Sequence, residues 1–239
     1  MKTAKKENDD GRSAEQAQAQ YESIVEMVAA LECDYDRLAD LQDEKPKWVA
    51  GYNIAGYLPD NDPALFADFD TARDYIVDKI NESAAESLDN ATEIVGLGAA
   101  FADSMEQELS QQCADGYVYW INKIGDDEAI LAGWDDFDEY KELTEAAGDC
   151  ESREDAEQRI QDDPLGIEIR SNWHEPGGDN TPGEFCILLC TGGPAVRIRG
   201  ELDEHREPCR AWLEHQDWGT PWREHFIAGG QEMLLTYAR

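Results

Sequence analysis

Positive charge is what this chain has least of. Twenty Lys and Arg stand against 54 Asp and Glu in 239 residues, a formal net charge of -34. Such a surface repels DNA, RNA and anionic membranes, so its natural partners are cationic. Long apolar runs are missing too, and nothing approaches the ~20 residues needed to cross a bilayer. The start, Met1-Lys-Thr-Ala-Lys-Lys6, leads into polar residues and not into the apolar core of a signal peptide. A cytoplasmic protein is expected. The catalytic signatures are absent as well: no nucleophile elbow, no phosphate-binding glycine loop, no dinucleotide fingerprint, no HExxH. The expectation is a protein that is not an enzyme and needs no cofactor. Cysteine is sparse and scattered, at 33, 113, 150, 186, 190 and 209, without the tight spacing of a disulfide framework. Reduced thiols are expected.

What is present is enough to build a core. Hydrophobic residues make up 41%, with seven Trp and nine Tyr, which a disordered acidic tail would lack. The charge is uneven along the chain. Residues 1–165 hold 42 acids and 13 bases, a net -29, whereas residues 166–239 hold 12 and 7, a net -5. Three reasons could sustain the charge: imitation of nucleic acid, solubility in high salt, or cation binding. High-salt adaptation would acidify every surface, and the near-balanced last part with its seven Arg speaks against it.

The periodicities predict an α+β fold, an acidic, mainly helical N-terminal part followed by a small antiparallel β-sheet. Residues 1–12 read as a disordered tail, 13–115 as a helical region, 116–165 as a short hairpin plus a highly acidic helical segment, and 166–239 as β-rich. A helix is predicted over 13–43, where Ala17, Tyr21, Ile24, Val28, Leu31, Tyr35 and Leu38 are spaced 4, 3, 4, 3, 4, 3. That is a heptad seam. It serves either the helix's own domain or a dimer, the latter through Tyr21, Ile24, Val28, Leu31, Tyr35 and Leu38. Residues 44–69 read as loop with a short strand at 53–59. A second helix starts near Asp70, whose side chain can cap it. A third covers 86–112 with Leu88, Ala91, Val95, Phe101, Met105 and Leu109 inward, bent or broken by Gly96 and Gly98. Residues 117–124 read as a strand whose partner returns at 129–134. The acidic stretch 135–163 reads as one or two helices with Trp134, Phe137, Tyr140 and Leu143 inward. Alternation then predicts strands at 166–173, 184–190, 195–199 and 209–215.

Two places in the chain offer residue types that bind metals. An EF-hand loop begun at Asp60 puts Leu65 at its sixth place and Thr71 at its twelfth, where Gly and Glu are needed. Cys186, Cys190, His205 and Cys209 give C-x3-C and H-x3-C, near the spacings of structural zinc. In a strand, however, the two cysteines of Phe-Cys-Ile-Leu-Leu-Cys190 face one apolar side as small hydrophobes. The histidines, at 174, 205, 215 and 225, read as surface or hydrogen-bonded core residues. The aromatic segment Gln216-Asp-Trp-Gly-Thr-Pro-Trp222 reads as core or as a recognition platform.

The strongest candidate surface is carboxylate. Asp126, Asp127, Glu128, Asp135, Asp136, Asp138, Glu139, Glu142 and Glu145 have the highest local density. Helical rows of acids can approximate a phosphate array, since residues four apart are ~6 Å apart along the axis. The expected partner is a basic nucleic-acid-binding protein.

The segments Thr191-Gly-Gly-Pro-Ala-Val-Arg-Ile-Arg-Gly-Glu-Leu-Asp203 and Leu213-Glu-His-Gln-Asp-Trp-Gly-Thr-Pro-Trp222 resemble a segment of proteins carried by bacterial phages and plasmids. The overall charge is similar to that of acidic DNA-mimic inhibitors, the antirestriction and anti-CRISPR proteins. This second likeness is one of composition, so no functional residue carries over. Together they imply counter-defence: a non-enzymatic inhibitor that blocks the DNA- or RNA-binding groove of a CRISPR effector or restriction enzyme in the cytoplasm of the host bacterium. The alternative is an interaction module that binds its target through the C-terminal sheet near Trp218 and Trp222, its acidity serving solubility.

Overall fold

The computed structural model describes residues 3–57, 63–86, 91–112, 116–125, 127–171, 173–178 and 180–239. They form eight helices and two antiparallel sheets, a mixed α+β fold. The chain divides into two compact units. One joins Met1–Tyr35 with Leu143–Arg239, and the other is Asp36–Glu142. The first holds 28 acids and 13 bases, a net -15; the second holds 26 and 7, a net -19. The uneven charge of the sequence is therefore not a division between units. Acidic helices from the early part of the chain fold with the near-neutral sheet of the late part.

In the first unit a five-stranded meander, β5 (Gly166–Ser171), β6 (Pro182–Cys190), β7 (Ala195–Leu202), β8 (Pro208–Gln216) and β9 (Arg223–His225), follows the chain order. The alternation expected at 184–190 and 195–199 is seen as alternating burial. One face of the sheet presents Phe185, Ile187, Leu189, Val196, Ile198, Ala211 and Leu213. Against it pack α1 (Thr3–Glu32) and α8 (Gln231–Ala238), through Ala17, Ile24, Val28, Leu234 and Tyr237. α7 (Arg153–Asp162) joins α1 through Ile160. Tyr237 donates to Asp163 at 2.5 Å, and burial together with that bond holds the phenol proton well above its usual range. Two polar groups also enter this interior: the buried Ser13 hydroxyl and His215 Nδ1 share a hydrogen bond of 2.9 Å.

The heptad seam is used inside the chain. Ile24 and Val28 have no exposed surface left for a second copy, because both lie in the sheet-facing core. Nor is the seam one helix. α1 ends at Glu32 and α2 (Tyr35–Glu44) begins three residues later, so Tyr35 and Leu38 belong to a different helix from Tyr21, Ile24, Val28 and Leu31. The Tyr35 hydroxyl donates to the Ala30 carbonyl at 3.0 Å, satisfying an acceptor that the end of α1 leaves open. Burial, with Cys150 and Cys33 alongside, pushes the Tyr35 phenol up to about 12. At its other end α1 extends through most of the segment expected to be a disordered tail.

The second unit is a four-stranded sheet ordered β2 (Ala64–Phe66), β1 (Trp48–Ile54), β4 (Tyr117–Lys123), β3 (Leu109–Gln112). Its centre is covered on both faces, and β1 therefore begins with four buried residues in a row. On one face Trp48, Ala50, Tyr119 and Ile121 meet Phe69, Ala72, Ile76 and Ile80 of α3 (Phe69–Glu86) and Ile94 and Phe101 of α4 (Ala91–Ala102). On the other, Val49, Ile124 and Trp120 meet Leu131 of α5 (Glu128–Leu131) and Phe137 of α6 (Phe137–Ala147). Gly51 makes room there: a Cβ would stand 2.7 Å from the Trp120 ring.

Several expectations are corrected in this unit. The strand expected at 53–59 lies earlier, at Trp48–Ile54. The helix expected over 86–112 runs through Gly96 and Gly98, ends at Ala102 and gives way to β3. Gly98 is a point of close approach: a Cβ there would meet Ile80 at 3.4 Å. Met105 is 81% exposed, not inward; Leu88 lies outside the described residues. The segment 129–134 is not the partner of β4, which pairs with β1 and β3; Asp127 caps the short helix α5 there instead, accepting from the Ala129 N–H at 3.0 Å.

α3 is capped by Asp68 and not by Asp70. The Asp68 carboxylate accepts from the Thr71 N–H at 2.9 Å and from its hydroxyl at 3.0 Å, and these bonds hold it below the usual carboxylate range. A depressed pKa adds stability above the unfolded value that is lost as pH falls through the folded one. Asp68→Ala should therefore cost ~1 kcal/mol at neutral pH. Chemical denaturation of both proteins at several pH values should show that difference closing in acid, below the ordinary carboxylate value.

Candidate functional site

The acidic candidates cluster around α5 and α6. Leu131 and Phe137 anchor these helices on the sheet, Trp134 packs on Tyr140 with ring centres 5.7 Å apart, and Trp134, Phe137, Tyr140 and Leu143 are half-buried as expected. The apolar side faces in, so the carboxylates face out.

The fold divides the predicted set. Asp127 is occupied in capping α5. Glu128 meets Lys141 at 3.2 Å. Arg37 of α2 grips Glu139 with two bonds, 2.7 and 3.2 Å, and lies 3.7 Å from Asp136. The hydrogen bond to Glu139, with the charges of Glu139, Asp136 and Glu44, raises the Arg37 pKa. These four are structural carboxylates. Asp135, Asp138, Glu142 and Glu145 are exposed and form no ion pair among the described residues. The first three belong to the second unit, Glu145 to the first. Asp126 lies outside the described residues.

Sequence density missed two further rows in the same unit. On α3, Asp70, Asp74, Asp78 and Glu82 recur every fourth residue, all exposed, with Arg73 and Lys79 between them. On α2, Asp36, Asp40 and Asp43 are exposed. Their signal was the i, i+4 spacing and not the local count. A single row carries one charge per ~6 Å of helix axis, against one per ~1.7 Å for duplex DNA. Three to four rows are needed to approach that density. α2 and α6 supply two, tied together by the Arg37–Glu139 pair; the α3 row belongs to the opposite face of the sheet, and Asp70, Asp74 and Glu82 in it are paired with Arg73 and Lys79.

A different surface stands out in the first unit. The sheet face away from α1 carries Arg170, Arg197, Arg199 and Arg210, four of the seven arginines of residues 166–239. Arg170 and Arg199 both donate to the same oxygen of Glu184. Arg197 donates to Glu214 at 2.6 and 2.8 Å and lies 3.9 Å from the centre of the Trp222 ring. Trp212 donates to Glu214 at 3.0 Å and stands between Arg199 and Arg210, which pairs with Glu201 at 3.2 Å. A shallow groove of about 330 Å³ lies over Arg170, Glu184, Cys186 and Arg199. The alternation at Ala195–Arg199 implied that Arg197 and Arg199 share a face; that Glu214 and Trp222 join them is a consequence of the strand register.

This arrangement corrects the reading of Cys186, which points to this polar face, whereas Cys190, paired with Val196 beyond a register shift, packs against the apolar core as expected; burial pushes both thiols up. His205 is in the β7–β8 turn, and Cys209 donates to the Glu201 carbonyl at 3.3 Å. Among the described residues no group of three or more His, Cys, Asp and Glu could hold a metal ion, and five cysteines are free thiols; Cys113 is not among the described residues. No described helix is long and apolar enough to cross a membrane. In the aromatic segment Trp222 is stacked on Arg197, while Trp218 is 78% exposed, held by its N–H to the Gly192 carbonyl at 2.5 Å.

Comparison with protein-family models, with curated proteins and with solved structures finds no match for this chain.

Proposed function

We propose that this protein acts without catalysis, as an acidic inhibitor that occupies a basic nucleic-acid groove of a bacterial defence complex, a CRISPR effector or a restriction enzyme. The observation that carries the reading is the second unit's net -19 over residues 36–142, with Asp135, Asp138 and Glu142 exposed and in no ion pair among the described residues. Rows of fixed carboxylates compete for arginines and lysines placed to receive phosphates. Such binding forms fast and weakens with salt. The cytoplasm of the host bacterium is where this inhibitor meets its target.

Exposed charge pairs are worth about 0.2–1 kcal/mol each. Neutralising Asp135, Asp138 and Glu142 together to Asn, Asn and Gln should therefore weaken inhibition about tenfold and flatten its salt dependence. Glu128→Gln with Glu139→Gln, which removes carboxylates already paired inside the fold, is the comparison. Equal inhibition by the triple variant and the parent, titrated against the target nuclease at two salt concentrations, would remove these residues from the interface.

A second reading is favoured by Trp218 and Phe226, 78% and 84% exposed, beside the Arg197–Trp222 stack. Aromatic and arginine side chains dominate protein interfaces, so the late sheet would be the binding surface and the acidity would serve solubility. Inhibition lost with Trp218→Ala and indifferent to salt would favour it.

A further inference from the structure

β5 is an edge strand with β6 as its neighbour on one side. Sheet proteins usually blunt such edges with charge, bulges or a covering segment. This one carries Leu165, Ile167 and Ile169, 61%, 64% and 62% exposed, with the fully exposed Trp173 two residues beyond the strand. Ile167 and Ile169 share the face of their partners Ile187 and Phe185, so the apolar side of the sheet runs out to an uncovered margin. On the opposite face the strand carries Glu168 and Arg170.

We propose that this edge is an interface between two copies of the chain, which pair β5 to β5 in antiparallel fashion about Ile169. Two copies that continue one sheet must set opposite each other residues that point to the same face, so the two-fold axis passes through a residue. Centred on Glu168, the strand sets that carboxylate against its own copy, and centred on Arg170 it opposes two guanidinium groups; both repel. Centred on Ile167, it leaves Arg170 without an opposite charge. Centred on Ile169, it places Ile169 on Ile169 and Glu168 of each copy against Arg170 of the other. The Arg199–Glu184–Arg170 row of one sheet then continues into Glu168 of the next with alternating sign. This self-complementarity is what selects a second copy as the occupant.

The test uses the full chain in sedimentation equilibrium and native mass spectrometry, with circular dichroism to confirm that each variant folds. The parent should be a dimer. Because each copy is strongly anionic, added salt should tighten the dimer, the reverse of its expected effect on binding to a basic groove. Failure here and failure of the inhibitor reading are thus separable. Ile169→Asp, which sets two carboxylates on the axis, should raise the dimer dissociation constant about tenfold or more. Glu168→Arg alone and Arg170→Glu alone should be monomers, and a mixture of the two should form a heterodimer. A parent that stays monomeric, a dimer indifferent to Ile169→Asp, or a mixture without heterodimer overturns the proposal.

Discussion

Ile24→Asp should unfold the first unit and not merely separate two copies. Ile24 is fully buried among Phe185, Ile187, Val196, Ile198 and Leu213. Its side chain contributes about 1.5–3 kcal/mol by leaving water. An aspartate in its place loses that and adds a carboxylate with no cation in an apolar core, which costs several kcal/mol more or forces protonation. Against a typical stability of ~5–15 kcal/mol, one substitution removes most of what holds the unit together. Leu31→Asp, at a half-buried position of the same helix, should cost less. Thermal melts followed by circular dichroism decide: the expected result is a lost or strongly lowered transition for Ile24→Asp. A native-like melt with a halved native mass would instead make the heptad an intermolecular seam.

Gly200→Ala should be the most damaging single-methyl change in the sheet. Gly200 sits in β7 between two strands, and a Cβ there would stand 2.2 Å from the Phe185 ring and 2.3 Å from the Arg210 carbonyl oxygen. The ring can turn, but the carbonyl belongs to the backbone of the neighbouring strand, and Gly200 is paired directly with Ala211. Relief requires the β7–β8 ladder to open beside the Gly200–Ala211 pair. Overpacking of this kind costs about 1–3 kcal/mol where side chains can adjust, and the backbone clash places this case at or above the upper end. Gly166→Ala is the control, since nothing lies within 4 Å of its added methyl. Urea titrations should show a clearly lowered midpoint for Gly200→Ala and an unchanged one for Gly166→Ala; equal midpoints would mean that β7 and β8 leave room for a methyl group at Gly200.

How much of this was legible in the sequence depended on how many faces each element buries. β6 and β7 cover one face and solvate the other, so their alternation is plain in Glu184–Cys190 and Ala195–Arg199. β1 is covered on both, which removes the alternation and leaves Trp-Val-Ala-Gly looking like a fragment of loop. β3 hides for the opposite reason: Leu-Ser-Gln-Gln has little apolar content, and only its pairing with β4 makes it a strand. The run Ala-Ile-Leu-Ala-Gly-Trp looked like a strand because it is apolar, yet Asp127 caps a helix there and Leu131 fills the core. The acidic site was visible as density but not as geometry. Arg37 neutralises Glu139 from 102 positions away in sequence, and a sequence shows no such pair. The same holds for α3, whose acidic row is less dense than the 135–145 segment but more regular.

The two units also change the argument about charge. Acidity follows the helices of both units and is not confined to one, which leaves high-salt adaptation as a competing origin of the charge. Binding, and not composition, separates the two. The most direct measurement is an affinity capture with the tagged protein from a bacterial lysate carrying restriction and CRISPR systems, eluted by stepwise salt and then, in parallel, by added duplex DNA. The account predicts a nucleic-acid enzyme that leaves at moderate salt and is displaced by DNA. No partner, or a partner that survives high salt and ignores DNA, would contradict it.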